Sequence, residues 1–241
     1  VVRPLALTDR DRALMHVAWS LGAVTAPTLQ ALAGSTTHPD TFRRRLRRLH
    51  REGYLSQTRH VGPAGCVWLY SLGPRGRAPD RARPWRPSIA QLEHTIAVGD
   101  AVVALTRPGF ASPIEVVGWQ GEAELRGWSQ PGQPFPDACV TWQRGNRGGV
   151  WFVEVDRATE SHAAWRRKLV RYLAHQSGTV LAVTTTPGRA KRIAVAASDL
   201  GVGLVATTLR AVLTDDDPIV YDANERRSRC LSDSTERSAR T

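Results

Sequence analysis

The sequence predicts an α+β protein built in two parts: a helical start closed by a β-hairpin, then a larger domain in which helices alternate with a mixed sheet. Two observations predict it. Before residue 54 the apolar residues recur at helical spacing, and each run ends at a glycine. After Ser88 a helix is followed by four strand-like segments, and then by helices alternating with short apolar runs.

Thr8 precedes Asp9-Arg10-Asp11, an N-cap with acids in the first turn. Leu14, Val17, Ala18 and Leu21 follow on one face, and Gly22 stops the run. Thr25 caps a short helix from Pro27 to Ala33 that ends at Gly34. Pro39-Asp40 opens a third helix through Arg51, with Phe42, Leu46 and Leu49 as its apolar stripe. Gly53 ends it. Residues 54–59 and 66–72, joined across Gly62-Pro63-Ala64-Gly65, read as a hairpin.

Three helices and a hairpin follow the winged helix-turn-helix plan, in which the third helix enters the major groove and the wing touches the backbone. Around its stripe the third helix carries Arg43, Arg44, Arg45, Arg47, Arg48 and Arg51, and Arg59 lies on the first wing strand. An arginine-rich face is often plain solvated surface. Here no acid intervenes before Glu52, which favours double-stranded DNA as the partner. The winged plan also serves dimerisation, with the first helix as the face of a homodimer.

Residues 73–87 are rich in Gly, Pro and Arg and read as a basic linker, so the first domain covers 1–72. The second covers 88–220. Ser88 caps a helix to about Leu105, with Gln91 at the capping-box position. Strands are expected near Ile114–Trp119, Glu122–Trp128, Ala138–Gln143 and Val150–Asp156. A helix from about Glu160 to His175, a strand Thr179–Thr184, a helix from Pro187 to Leu200 and a strand Val202–Ala206 follow. From Tyr221 the chain turns polar, and residues 221–241 read as a disordered tail.

The formal net charge of the 241 residues is +11, which points to a polyanionic partner. Nearly all of the positive charge is arginine, because Lys168 and Lys191 are the only lysines. Cys66, Cys139 and Cys230 form no CxxC pair and no even set, which fits a reducing cytoplasm and excludes a zinc cluster or a disulfide framework. No apolar run is long enough to span a membrane. The chain opens on Val with no charged-then-apolar leader.

One constellation carries chemistry. Alternation along Trp151–Asp156 puts Glu154 and Asp156 on one strand face. Asp137 follows Pro136 at the start of the preceding strand, where a hairpin brings it beside Glu154. Carboxylates so placed suit Mg²⁺ or Mn²⁺, which take oxygen ligands. Lys168 lies on the next helix, placed to stabilise a pentavalent phosphate or to orient the attacking water, with Tyr172 one turn on. The bland reading is a cap or salt bridge, with Arg157 or Arg167 as partner. Tyr172, His94 and the tryptophans Trp119, Trp128 and Trp165 read first as packing residues.

The segments "PDACV", "WFVEVDRATES" and "WRRKLVRYL", with "LEHTIAVGD" before them, resemble the replication-relaxation family of plasmid and mobile-element proteins. That resemblance implies a restriction-endonuclease-like PD-(D/E)xK domain, similar to a class of conjugative relaxases. It makes Asp137 and Glu154 metal ligands and implies plasmid replication or transfer proteins as partners. Asp156 stands where the plain nuclease pattern has a lysine, and Lys168 is the candidate to replace it. Glu93 and His94 fall near the helix acid of related folds.

The leading expectation is a DNA-binding protein that nicks or relaxes a recognised site. Asp137, Glu154 and Asp156 would hold the metal and Lys168 would stabilise the transition state. The rival is a sequence-specific DNA-binding replication or transcription factor with a degenerate nuclease fold, which the Asp156 departure favours. A third reading is a defence or antitoxin component that binds a protein partner.

Overall fold

The computed structural model describes residues 5–62, 65–76, 87–127, 132–175 and 178–234. The chain divides into two compact units, Val1–Gly99 and Asp100–Thr241.

In the first unit, α1 (Asp9–Ser20) starts at a capping box: the Thr8 hydroxyl accepts from the Asp11 amide, and Asp11 accepts from the Thr8 amide at 2.7 Å. α2 (Ala26–Leu32) is capped by Thr25, and α3 (Pro39–Arg51) buries Phe42, Leu46 and Leu49 as its stripe requires. The strands β2 (Leu55–Gly62) and β3 (Gly65–Leu72) pair antiparallel. A short β1 (Val24–Thr25), not legible in the sequence, joins the other edge of β3, giving the order β1-β3-β2. Gly73 must be glycine, because a Cβ there would meet the Gly53 carbonyl oxygen at 2.4 Å.

Residues 77–86 of the expected linker lie outside the described residues. Its start belongs to the first unit, since Arg75 sits over the Tyr54 ring at 4.9 Å and donates to the Glu52 carbonyl. The expected boundary moves as well. The helix α4 (Ile89–Leu105) carries the division within it, and its Leu92 packs with Ala23 and Leu69 of the first unit.

The second unit is built on a seven-stranded mixed sheet. Its strands are β4 (Glu115–Gly121), β5 (Ala138–Arg144), β6 (Arg147–Asp156), β7 (Thr179–Thr184), β8 (Leu204–Thr208), β9 (Ile219–Asp222) and β10 (Arg227–Cys230). They lie in the order β10-β9-β8-β7-β6-β5-β4. The pairs β6–β7 and β7–β8 are parallel, joined through α6 (His162–His175) and α7 (Pro187–Leu200), and the other pairs are antiparallel. Trp165, Leu169 and Tyr172 of α6 pack with Ala190, Ile193, Ala194 and Ala197 of α7. Val180, Ala182 and Leu204 of the sheet complete this cluster, and Phe152 packs against it. Gly201 ends α7 at φ 73°, a left-handed position that favours glycine.

Two expectations are corrected here. Residues 122–126 are a helix, α5 (Glu122–Arg126), and not a strand. Glu124 reaches back to the Gly121 amide, and Arg126 pairs with Glu122 one turn before it. The stretch 221–234 is not a disordered tail but holds the end of β9, then β10 and α9 (Leu231–Ser234). Its polar residues pair with one another: Arg229 bridges Asp222 and Glu225, and Ser232 donates to Asp217 at 2.6 Å. A short α8 (Leu209–Thr214) is also new. Residues 235–241 lie outside the described residues.

Candidate functional site

β6 ends in the middle of the sheet, flanked by antiparallel β5 and parallel β7. In open α/β sheets, ligands gather at the carboxyl ends of parallel strands, and Glu154 and Asp156 lie there. Both are on the α6–α7 face, as the alternation required. Phe152, two residues earlier, stacks near Tyr172 with ring centroids 5.7 Å apart.

Asp137 extends the β5 ladder by one residue. Its amide donates to the Val153 carbonyl at 3.1 Å, and its Oδ2 accepts from the Val155 amide at 2.8 Å. This brackets Glu154 from the neighbouring strand. Glu154 is buried, with 1% of its surface exposed. Its Oε2 accepts from Lys168 Nζ at 2.8 Å, and its Oε1 accepts from the Tyr172 hydroxyl at 2.6 Å. Lys168 also donates to Glu160 Oε1 at 3.0 Å and lies over the Trp165 ring. The structure therefore gathers Asp137, Glu154 and Lys168, and adds Tyr172 and Glu160.

The electrostatics follow from burial. Loss of water, with the Asp137 charge, pushes the Glu154 carboxyl up to about 7 against the opposing pull of Lys168 and Tyr172. Burial alone would lower the Lys168 ammonium, but Glu154, Glu160 and Asp137 outweigh it and hold it above its ordinary range. Burial and the Glu154 charge push the Tyr172 phenol far upward. The buried Cys139 thiol behind the site rises to about 12, chiefly from desolvation and then from Glu154.

Asp156 stands apart from this group. Its Oδ2 accepts from Arg189 Nε at 2.5 Å, and its Oδ1 accepts from the Ala158 amide at 3.0 Å. Arg189 also donates to the Glu160 carbonyl at 2.5 Å. The anticipated metal role for Asp156 thus meets a carboxylate already committed to α7 and to the loop after β6. Ala158 holds a left-handed φ of 62° in that loop, and Arg189 ties the turn down. Arg189 was not singled out in the sequence, and Glu160 entered only within the family motif and as the expected start of a helix. A usable signal was the carboxylate eight residues before Lys168, within reach once the helix starts at His162.

Among the described residues, no three His, Cys, Asp or Glu side chains converge as a ready cage for a metal. Mg²⁺ needs no such cage: it keeps several waters and takes one or two carboxylates. Asp137 and Glu154 supply hard oxygen donors of that kind, and Glu160 Oε2 is a buried acceptor without a hydrogen-bond partner. The residues fit a small divalent cation, provided that Lys168 releases Glu154.

In the first unit, Arg43, Arg44, Arg47, Arg48 and Arg51 are exposed along α3, and Arg59 is exposed on β2. Arg43 pairs with Asp40 at 3.1 Å, and Arg44 donates to Thr41. Arg45 departs from the expected DNA-facing set. It turns inward and grips the fully buried Asp11, with Nε to Oδ1 at 2.7 Å. Burial alone would raise the Asp11 carboxyl, but the hydrogen bonds from Arg45 and Thr8 hold it below its ordinary value. Glu93 lies in the first unit, its Oε1 3.4 Å from where a Cβ on Gly62 would stand.

The sequence model of the replication-relaxation family matches residues 20–184. The chain belongs to the replication-relaxation family. That membership points to a role in plasmid or mobile-element replication or relaxation. The match covers Asp137, Glu154, Asp156, Lys168 and Tyr172 and stops before Arg189. No curated protein and no solved structure matches the chain. No helix among the described residues is long and apolar enough to cross a membrane.

Proposed function

We propose that this replication-relaxation protein binds double-stranded DNA through a winged helix and nicks it at a PD-(D/E)xK-like centre in the second unit, in the cytoplasm where plasmid DNA resides. The observation that carries the reading is the meeting of Asp137, Glu154 and Lys168 at the carboxyl end of β6. Three helices and a three-stranded antiparallel sheet with an arginine-lined α3 support the DNA-binding half.

In this reading Asp137 and Glu154 hold Mg²⁺ or Mn²⁺. The bound cation would supply a nucleophile at neutral pH and neutralise charge on the phosphate. Lys168 leaves Glu154 and Glu160 and sets its ammonium against the developing phosphorane charge. Tyr172 orients Glu154. Asp156 and Arg189 fix the loop that carries Glu160, so Asp156 is a positioning residue. Water is the nucleophile, since the Tyr172 hydroxyl is buried, bound to Glu154 and shifted away from ionisation.

One observation favours the rival reading, a DNA-binding factor that does not cut: both Glu154 oxygens are already taken by Lys168 and Tyr172. The experiment incubates supercoiled plasmid carrying a replication origin with protein and Mn²⁺, then separates products with and without protease. The proposal expects open circles without protein attached to the DNA. Intact plasmid with tight, salt-sensitive binding selects the rival.

A further inference from the structure

The outer face of the β2–β3 hairpin carries a chemistry that the nuclease reading does not use. Register places Arg59 opposite Trp68, Val61 opposite Cys66 and Gln57 opposite Tyr70, so these six residues share one face. None is acidic. Trp68 is 51% exposed and Val61 is 70% exposed. Arg59 is held beside them by its Nε, which donates to Cys66 Sγ at 2.9 Å.

This face continues toward α3. The Tyr70 hydroxyl accepts from Gln57 at 3.2 Å, and at the base of β2 His50 of α3 meets the Leu55 carbonyl at 3.1 Å. Tyr70 itself is buried, so the exposed part of this face is its turn half, where Arg59, Val61, Cys66 and Trp68 lie together. A protein partner fits poorly, because a stable interface needs roughly 800 Å² from each side, and only Val61 and Trp68 are both large, apolar and exposed here. A nucleic acid fits the charge. The indole needs a flat π-face, which a fully stacked duplex does not offer.

We infer that the hairpin face is a second DNA contact, in which Trp68 stacks on an unpaired base beside the duplex held by α3 while Arg59 meets the adjoining phosphate. Val61 covers the edge of that base. The protein would then prefer DNA that is already locally melted, as origins and supercoiled sites are. The inference rests on the reading that the first unit binds DNA.

The test compares the full chain with Trp68→Ala, Trp68→Phe and Arg47→Ala, using a short random-sequence duplex and the same duplex with an internal bubble of unpaired thymines. The parent should prefer the bubble. Trp68→Ala should lose on the order of ten-fold in bubble affinity and nothing on the duplex, while Trp68→Phe keeps most of it. Arg47→Ala should weaken both DNAs alike. If Trp68→Ala binds the bubble as well as the parent while Arg47→Ala still weakens both, the stacking inference fails and duplex binding stands. If the parent binds neither DNA, the DNA-binding reading falls and takes this inference with it. A parent that self-associates, with Trp68→Ala monomeric and unaltered on the bubble, assigns the face to a second copy instead and overturns the inference.

Discussion

Lys168 and Tyr172 hold Glu154 from the same face of α6, one on each carboxylate oxygen, at 2.8 and 2.6 Å. The two donors sit one helical turn apart, so a single helix fixes the acid from both sides. They do not fully offset burial, and the carboxyl rises from 4.5 to about 7. The folded state therefore holds this proton more tightly than the unfolded chain does. The stability gained is complete below about pH 4.5 and is lost as pH rises through about 7. Thermal melting of parent and Glu154→Gln across that window should show the parent losing ground with rising pH. A constant difference between the two would remove the raised carboxyl.

Removing Lys168 should cost more than removing the Tyr172 hydroxyl. Lys168→Met removes the cation that lets buried Glu154 ionise, so its cost should grow as pH rises past about 7, toward the about 3–5 kcal/mol of a broken buried pair. Tyr172→Phe deletes one hydrogen bond to a buried acid, about 1–3 kcal/mol. Urea unfolding of both variants checks the order, and equal losses would mean that Lys168 is not the main counter-charge.

Asp156 and Arg189 should behave as parts of the scaffold. Arg189→Ala strands a buried carboxylate and releases the Glu160 carbonyl, so it should destabilise by about 3–5 kcal/mol. Asp156→Asn should keep Mn²⁺ affinity, measured by titration calorimetry, while Asp137→Asn loses it. Loss of metal affinity in Asp156→Asn would restore Asp156 as a ligand.

Within α3, one arginine should differ from its neighbours. Arg45→Ala should unfold the first unit more readily, because Asp11 is fully buried and also belongs to the α1 capping box. Arg47→Ala and Arg48→Ala should leave melting unchanged but reduce the salt dependence of DNA binding, each by about one unit of slope. Filter binding at several salt concentrations distinguishes the two classes.

Much of this was legible where local signals were strong. Thr8, Thr25 and the apolar stripe of α3 announced their helices, and alternation put Glu154 and Asp156 on one face. What was not legible depended on distant partners. Arg45 and Arg47 look alike in sequence, yet one faces Asp11, 34 residues away in the chain, and the other faces solvent. Asp156 looked equivalent to Glu154 because only the return of α7 brings Arg189 to it, 33 residues on. The β9–β10 hairpin hid in a polar stretch because its order comes from Asp222, Glu225 and Arg229 pairing with one another and less from apolar burial.

The account turns on whether Asp137, Glu154 and Lys168 cut DNA. Single-turnover nicking of supercoiled plasmid in Mn²⁺ measures this directly, with parent, Glu154→Gln, Lys168→Met and Asp156→Asn each confirmed as folded. The account predicts nicking by the parent and by Asp156→Asn, and loss of about a hundred-fold or more in Glu154→Gln and Lys168→Met. A folded Glu154→Gln that nicks as fast as the parent, or a parent that leaves the plasmid supercoiled, would contradict it.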